Sequence, residues 1–223
     1  MSFGQFVALA SFILSMGTIA LTYWVGIEQE TVKVCNPFLV GCTDITHTGL
    51  AGDAGFIFRG GLVSGCVFFM LWFMVMRVWL KPSIDTRSAR INLNLMSFFG
   101  ILAAIGLAWG TAVLAPTKEQ VLWGPHIRGA NTFFEAILLA FSFCHYLIWR
   151  AQKYHGLAVP SFKFKSVIFV LIWIVLIFFI ANSVSQFMDK GTKIAEWWAT
   201  FFIGFYFVSS WWDWKKVQLV SAS

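Results

Sequence analysis

The chain has 223 residues, of which 59% are hydrophobic and 12% are charged, and its formal net charge is +6. Soluble proteins have roughly 45–50% apolar and roughly 25% charged residues, so no compact soluble fold could keep this much apolar surface from water. The composition therefore excludes a soluble domain and predicts an integral membrane protein.

Continuous apolar windows predict the membrane spans. A hydrocarbon core of about 30 Å requires about 20 apolar residues of helix. Six windows of this size occur, at residues 3–25, 60–80, 94–115, 130–149, 166–187 and 196–214. They are apolar throughout, which favours helices over the alternating strands of a membrane barrel. We expect an all-α bundle of six transmembrane helices in one domain, residues 1–223, whose first span is not a cleaved signal peptide.

The basic residues are divided unequally between the two sides of the predicted bundle. Ten follow the second, fourth and sixth spans: Arg77, Lys81, Arg87, Arg90, Arg150, Lys153, Lys163, Lys165, Lys215 and Lys216. The opposite loops contain six: Lys33, Arg59, Lys118, Arg128, Lys190 and Lys193. The positive-inside rule then predicts that both the N- and the C-terminus are cytoplasmic. Since topology accounts for the positive charge, we expect membrane lipids as partners, or a second membrane protein, and no nucleic acid.

The longest connection is the first extracytoplasmic loop, predicted at residues 26–59. It contains Cys35 and Cys42, which form a disulfide if the compartment is oxidising or otherwise remain two free thiols. No Cys-x-x-Cys or His-x-x-x-His pairing occurs in the sequence. We therefore predict no metal site and no cofactor.

Side-chain size distinguishes the later spans. The third has small residues from Gly100 to Gly110, which allow another helix to approach closely. The fifth contains VIFVLIWIVLIFF, a bulky stretch suited to lipid contact, and is predicted to be peripheral. The sixth is bracketed by Trp197-Trp198 and Trp211-Trp212, predicted to mark the two membrane interfaces. Asp213 is expected to pair locally with Lys215 and Lys216.

Polar residues at membrane depth are costly and indicate functional sites. Those on the predicted outer side are Asp44, His47, His126, Glu135, Asn182, Gln186 and Glu196. His126, Glu135 and Glu196 are candidate catalytic groups, because a histidine with carboxylates can perform acid/base chemistry on a lipid ester. Asp44, His47, Asn182 and Gln186 are candidate lipid-binding groups.

Structural roles remain open for the two glutamates. Glu196 could instead be a charge at a helix N-terminus, and Glu135 could hydrogen-bond to a neighbouring helix. The chain has no Gly-x-Ser-x-Gly elbow and no obvious activated serine or cysteine, so a hydrolase of the usual serine type is not favoured.

Three segments resemble a known family: CTDITHTGLAGDAGFIFRGG (42–61), HIRGANTFFEA (126–136) and AEWWATFFIGFYFVSSWWDW (195–214). Together they are similar to the Frag/DRAM/Sfk family of six-span proteins. That family includes the DRAM autophagy modulators and the Golgi factor that remodels GPI-anchor fatty acids after attachment to protein. The resemblance implies lipid-linked work in Golgi or ER, lysosomal or plasma membranes. This chain has GLAGDAG where the family pattern has a proline-rich segment, so the branch stays open.

Two functions follow as alternatives. The first is a lipid-handling protein that assists acyl remodelling of a phospholipid or GPI-type lipid at the outer or lumenal leaflet. The second is a non-enzymatic adaptor or regulator in autophagy, membrane organisation or channel modulation. A transporter ranks last, because the inner halves of the spans offer few polar groups for a path across the bilayer.

Overall fold

Helices dominate the computed structural model, which describes residues 1–114 and 121–215 and contains no strand within those ranges. The helices are α1 (Phe3–Phe12), α2 (Thr18–Glu28), α3 (Pro37–Val40), α4 (Ile45–Thr48), α5 (Gly52–Leu80), α6 (Arg87–Ala112), α7 (Trp123–His155), α8 (Phe162–Ser185), α9 (Gly191–Val208) and α10 (Ser210–Asp213). A π-helical turn, Ile13–Gly17, joins α1 to α2, and a 3-10 turn, Lys81–Ser83, follows α5.

Within the two described ranges, five stretches are long and apolar enough to cross a membrane: Phe3–Glu28, Gly52–Ser83, Arg87–Ala112, Trp123–His155 and Phe162–Ser185. The 18 residues of α9 would extend about 27 Å and form the sixth span. The chain is therefore an all-α, multi-pass integral membrane protein, as the composition predicted.

The helix ends differ from the predicted windows. α5 begins at Gly52 and α7 at Trp123, so the first loop is shorter than predicted and covers residues 29–51. The sixth window is divided between α9 and α10. Apolar windows mark the part of a helix that fits the hydrocarbon, whereas helices continue into the interfacial region with polar residues. Residues 115, Lys118 and Lys216 lie outside the described ranges.

Local sequence explains where several helices start and stop. Ser2 and Gln5 form a reciprocal capping box at the start of α1. Thr86 accepts a hydrogen bond from the amide of Ala89 and begins α6. Gly156 ends α7 in the left-handed conformation, with φ of 63°.

The spans contact one another in a row. α8 packs on α9, α9 on α1, α1 and α2 on α5, α5 on α6, and α6 on α7. The two ends of this row, α7 and α8, touch less extensively than the other consecutive spans. Their contact includes His145 of α7, whose ring stacks on Phe162 and Phe169 at the beginning of α8. The row therefore bends back on itself without closing fully, and a gap remains between α7 and α8.

Small residues bring α6 and α7 together. A Cβ atom on Gly129 would lie 2.5 Å from the backbone nitrogen of Gly110 and 2.7 Å from the carbonyl oxygen of Gly106. This crossing confirms that the third span allows close approach. Only 17% of the apolar window of α8 is buried, which confirms that the fifth span is peripheral.

The first loop is held on one end of the bundle, which we call the loop side. Cys35 and Cys42 form a disulfide, confirming the first of the two sequence interpretations. Trp197 donates its indole N–H to the carbonyl of Thr43 at 2.9 Å, and Trp198 donates to Phe38 at 3.1 Å. Trp197 is buried, so the prediction that this pair simply marks a membrane interface was wrong for Trp197. Its ring binds the loop instead.

The opposite end, the terminus side, contains a buried ion pair. Lys165 Nζ lies 2.7 Å from Asp213 Oδ2, and both side chains are fully buried. Ser161 donates its backbone N–H to Asp213 at 3.0 Å, and its hydroxyl also bonds to that carboxylate. The expectation that Asp213 pairs with Lys215 was wrong, because α10 turns the carboxylate inward against α8, where it meets Lys165.

Candidate functional site

A narrow cavity, here called the central cavity, lies in the loop-side half of the bundle and has a volume of ≈ 70 Å³. Thr46, His126 and Glu196 line it near the loop, and Ser15 and Gly204 line its deeper part. Glu196 and Gly204 are eight residues apart on α9, so the cavity reaches about 12 Å along the helix axis. Its polar groups gather near the loop, and most of its wall is apolar.

The π-helical turn in the first span shapes the deeper wall. Ser15 and Met16 belong to this turn, and both line the central cavity. Met16 packs close to Gly204, where an added Cβ would lie 2.9 Å from Met16 Cγ. Single π-helical turns within α-helices are frequent at functional sites, and the position of this one favours the cavity as a functional site.

A larger space, the lateral groove, lies where α7 and α8 separate and α9 forms the floor. Its volume is ≈ 540 Å³. Its walls are mostly aliphatic or aromatic, and its polar members are Asn131, Glu135 and Glu196. Asn131 and Glu135 are exposed on α7. In a bilayer the groove would face the acyl chains, with carboxylates along one edge.

Glu196 connects the two spaces. Its side chain lines both the central cavity and the lateral groove. It forms no ion pair with any residue in the two described ranges, although Lys193 and Asp44 lie within electrostatic range. The structure therefore brings the three candidate catalytic groups to one region: His126 shares the cavity with Glu196, and Glu135 shares the groove with it.

The histidine is oriented by hydrogen bonds on both ring nitrogens. Nδ1 of His126 lies 2.8 Å from the carbonyl oxygen of Gly110, and Nε2 lies 3.2 Å from Oγ1 of Thr46. A carbonyl can only accept, so Nδ1 carries the proton in the neutral ring. Nε2 is then the acceptor, and the Thr46 hydroxyl donates to it. The sequence reasoning missed Thr46, because nothing in a loop threonine signals contact with a histidine 80 residues later.

Asp44 and His47 form a second polar pair, on either side of the cavity-lining residues Ile45 and Thr46. Asp44 Oδ1 accepts from the backbone N–H of His47 at 2.8 Å and lies 2.6 Å from its Nδ1. Partial burial acts to raise the pKa of Asp44, but the hydrogen bonds from His47 outweigh it and hold that pKa below its usual value. The pair stabilises α4, because Asp44 is its N-cap.

Asn182 and Gln186 lie away from both spaces. Asn182 is buried, and its side-chain oxygen accepts from the backbone N–H of Met188 at 2.9 Å. Gln186 ends α8 with a positive φ of 50°. Both residues shape the connection from α8 to α9, so the structure does not bring them to the cavity or the groove.

Comparison with known proteins agrees with this architecture. A family model described as the Frag1/DRAM/Sfk1/Cwh43P N-terminal domain matches residues 3–217. The chain belongs to this family. No curated protein and no solved structure was found to match it. The family match covers all six helical spans.

In this Frag1-family protein, the three segments that carried the resemblance meet at the central cavity. Segment 42–61 supplies Thr46, segment 126–136 supplies His126, and segment 195–214 supplies Glu196. Within residues 1–114 and 121–215, no group of three histidine, cysteine or acidic side chains is placed to hold a metal ion. Thr46, His126 and Glu196 can provide proton transfer and hydrogen bonding at this cavity wall.

Proposed function

We propose that this Frag1-family protein binds a membrane lipid on its loop side and assists remodelling of the lipid's acyl chains. The observation that carries the proposal is the position of Glu196, which lines both an apolar groove of ≈ 540 Å³ and a polar cavity. One acyl chain occupies the lateral groove, and the ester region lies near Glu196.

The groove has the size and composition of a ligand site. Sites for small molecules are commonly about 300–1,000 Å³, mostly apolar, with a few polar groups that fix orientation. Leu138, Leu139, Val175, Leu176 and Phe179 supply the apolar walls. An acyl chain in this position fills the space between α7 and α8 and contacts the apolar side chains of both helices.

Glu135 supports a ligand with a polar end. A carboxylate exposed at membrane depth is expensive unless it is neutralised or hydrogen-bonded. A lipid hydroxyl or ammonium group beside Glu135 and Asn131 would provide that partner, while its acyl chain follows the groove. The structure thus supports recognition of a head group and a chain at the same place.

His126 and Glu196 supply the proton-transfer groups for the remodelling step. The Nε2 atom of His126 is an acceptor at the cavity wall, and Glu196 presents a carboxyl group to the same space. A positioned acid or base of this kind contributes roughly 10²–10⁴-fold to a reaction rate. The basic-residue distribution supports the extracytoplasmic leaflet as the side on which this chemistry occurs, and we propose a secretory, lysosomal or plasma membrane as its location.

Retention of lipid during purification tests the binding proposal. Native mass spectrometry of the full chain should detect bound phospholipid, and Leu176→Trp should reduce the lipid-bound fraction by filling the groove. Ile177→Trp is the matched control, because Ile177 is the next residue on α8, is exposed and does not line the groove. Equal lipid occupancy in both variants would contradict the proposal.

Substitutions at the polar groups separate this function from the adaptor alternative. Glu135→Gln and His126→Ala should abolish lipid-dependent activity and leave expression unchanged. Full activity of both variants, together with a membrane protein that co-purifies in fixed ratio, would favour the adaptor.

A further inference from the structure

Thr46 and His126 form a hydroxyl–imidazole pair inside the central cavity. Their Oγ1 and Nε2 atoms are 3.2 Å apart, within the range of a nucleophile and its general base in a structure without substrate. Both residues line the cavity, so the pair faces the space in which a substrate would lie. Thr46 is only partly buried.

The imidazole is held in the tautomer that a general base requires. Its Nδ1–H donates to the Gly110 carbonyl at 2.8 Å, which leaves the lone pair of Nε2 directed at Thr46. A third group that orients the base completes the arrangement seen in nucleophilic catalysis, and here a backbone carbonyl takes that position. The close α6–α7 crossing at Gly110 and Gly129 fixes this carbonyl beside the ring.

The loop is anchored well enough to hold Thr46 in position. Asp44 caps α4, Thr48 exchanges a hydrogen bond of 3.1 Å with Thr22 of α2, and Trp197 donates to Thr43. The Cys35–Cys42 disulfide closes the loop just before this helix. α4 is therefore fixed on both sides of Thr46, and the hydroxyl has little freedom to leave the histidine.

We propose that Thr46 is an acyl-accepting nucleophile and that acyl transfer proceeds through an ester on its side chain. This inference rests on the proposed lipid-remodelling function and names its covalent step. The substrate class is a glycerolipid carboxylic ester, and the second substrate is a lipid alcohol such as a lysophospholipid, or water.

The reaction balances in two halves. The Thr46 oxygen bonds to the ester carbonyl carbon while its proton passes to Nε2 of His126. The bond from the carbonyl carbon to the lipid oxygen then breaks, and the departing alcohol takes that proton, leaving the acyl group on Thr46. In the second half the acceptor alcohol attacks the acyl-threonine, His126 takes its proton, and Thr46 recovers its hydroxyl from the imidazolium.

An activated ester tests the nucleophile without knowledge of the natural head group. The full chain in detergent micelles is mixed with 4-nitrophenyl palmitate, nitrophenol release is followed, and the protein is analysed by intact-mass and peptide mass spectrometry. The wild type should gain one palmitoyl group on Thr46, and lysophosphatidylcholine should remove it. Thr46→Ser should retain the adduct, whereas Thr46→Val should lose it and slow nitrophenol release at least 100-fold.

Two controls make the outcome decisive. Thr31→Val changes an exposed threonine elsewhere in the same loop and should behave as the wild type. His126→Gln should slow acylation by roughly 10²–10⁴-fold and leave the site of the adduct unchanged. If the valine variant does not fold, the location of the adduct in the wild type and in Thr46→Ser decides the question.

The failure of this inference differs from failure of the proposed function. Lipid bound in the groove by native mass spectrometry, without any adduct on Thr46, would overturn the nucleophile and leave lipid binding in place. Absence of both the bound lipid and the adduct would overturn both.

Discussion

The two ends of the bundle treat charge in opposite ways. On the terminus side, Lys165 and Asp213 are fully buried and bonded to each other and to Ser161. On the loop side, Glu135 and Glu196 line open spaces, and neither forms an ion pair with a described residue. A buried pair whose partners come from the protein itself has a structural role, whereas carboxyl groups that line open spaces without an ion-pair partner indicate a binding site.

The largest effect is expected when the ion pair is broken. Lys165→Met leaves the buried Asp213 carboxylate without its positive partner, which should lower the free energy of unfolding by about 3–5 kcal/mol. The double variant Lys165→Met/Asp213→Leu should recover most of this loss, because an apolar pair needs no compensation. Thermal unfolding in detergent measures both.

Lys163→Met is the control for that experiment, since Lys163 is exposed two residues earlier on α8. A single variant as stable as this control would show that the two ends of the bundle do not differ as described.

Substitution of a loop-side carboxyl group should give the reverse pattern. Glu196→Gln is expected to reduce acyl-remodelling activity by about 100-fold, or about 2.7 kcal/mol of transition-state stabilisation, without lowering the thermal midpoint. Glu30→Gln, an exposed position in the first loop, should change neither quantity. A large loss of stability in Glu196→Gln would instead identify this carboxylate as structural.

Loss of the disulfide should have an intermediate effect on stability that starts at the loop side. Replacing Cys35 and Cys42 by serine should lower the free energy of unfolding by about 2 kcal/mol, since the bridge closes a short loop. Reductant should lower the thermal midpoint of the wild type and leave the double serine variant unchanged. Equal sensitivity to reductant in both proteins would assign the effect to another thiol.

The smallest effect concerns pH. The pKa of Asp44 is lowered in the folded protein, so its contribution to stability is complete above the unfolded-state pKa of about 3.9 and is lost as the pH falls through the folded-state value. We expect the His47 amide to be less protected below about pH 4 than at neutral pH, when its exchange rate is divided by the intrinsic rate at the same pH, through loss of under about 1 kcal/mol of capping.

Asp44→Asn should remove most of this pH dependence, because asparagine caps a helix without titrating in this range. Asp53→Asn, an exposed change on the same side, should leave it intact. Unchanged pH dependence in Asp44→Asn would place the titrating group elsewhere, among the other charges near the cavity.

Local sequence carried the architecture, while pairings over long separations did not. Twenty-residue apolar windows identify spans because the bilayer thickness sets their length. The disulfide could be predicted from the sequence because its cysteines are close in sequence and share one loop. Lys165 was counted among the basic flanking residues because its partner, Asp213, follows 48 residues later and enters the core only through the turn before α10.

The candidate site could be predicted only in part, because only its local features are visible in the sequence. Glu135, Glu196 and His126 are polar residues in or beside apolar windows, which a single sequence reveals. Thr46 has no such signal, because its meaning depends on a four-residue helix and a histidine from another span. The groove could not be predicted either, since the uniformly bulky sequence of α8 does not show from which neighbouring helix it separates.

The weak contact between α7 and α8 allows these two helices to move apart while the rest of the bundle stays packed. These helices are consecutive in the chain and joined by residues 156–161, yet they form the two ends of the row of spans. Lipid offers a helix nearly the same apolar surroundings as another helix, so parting them costs little. Bilayer lipid then fills the gap between the two helices. A cross-link between α7 and α8 across the groove should trap the lipid that lies inside it.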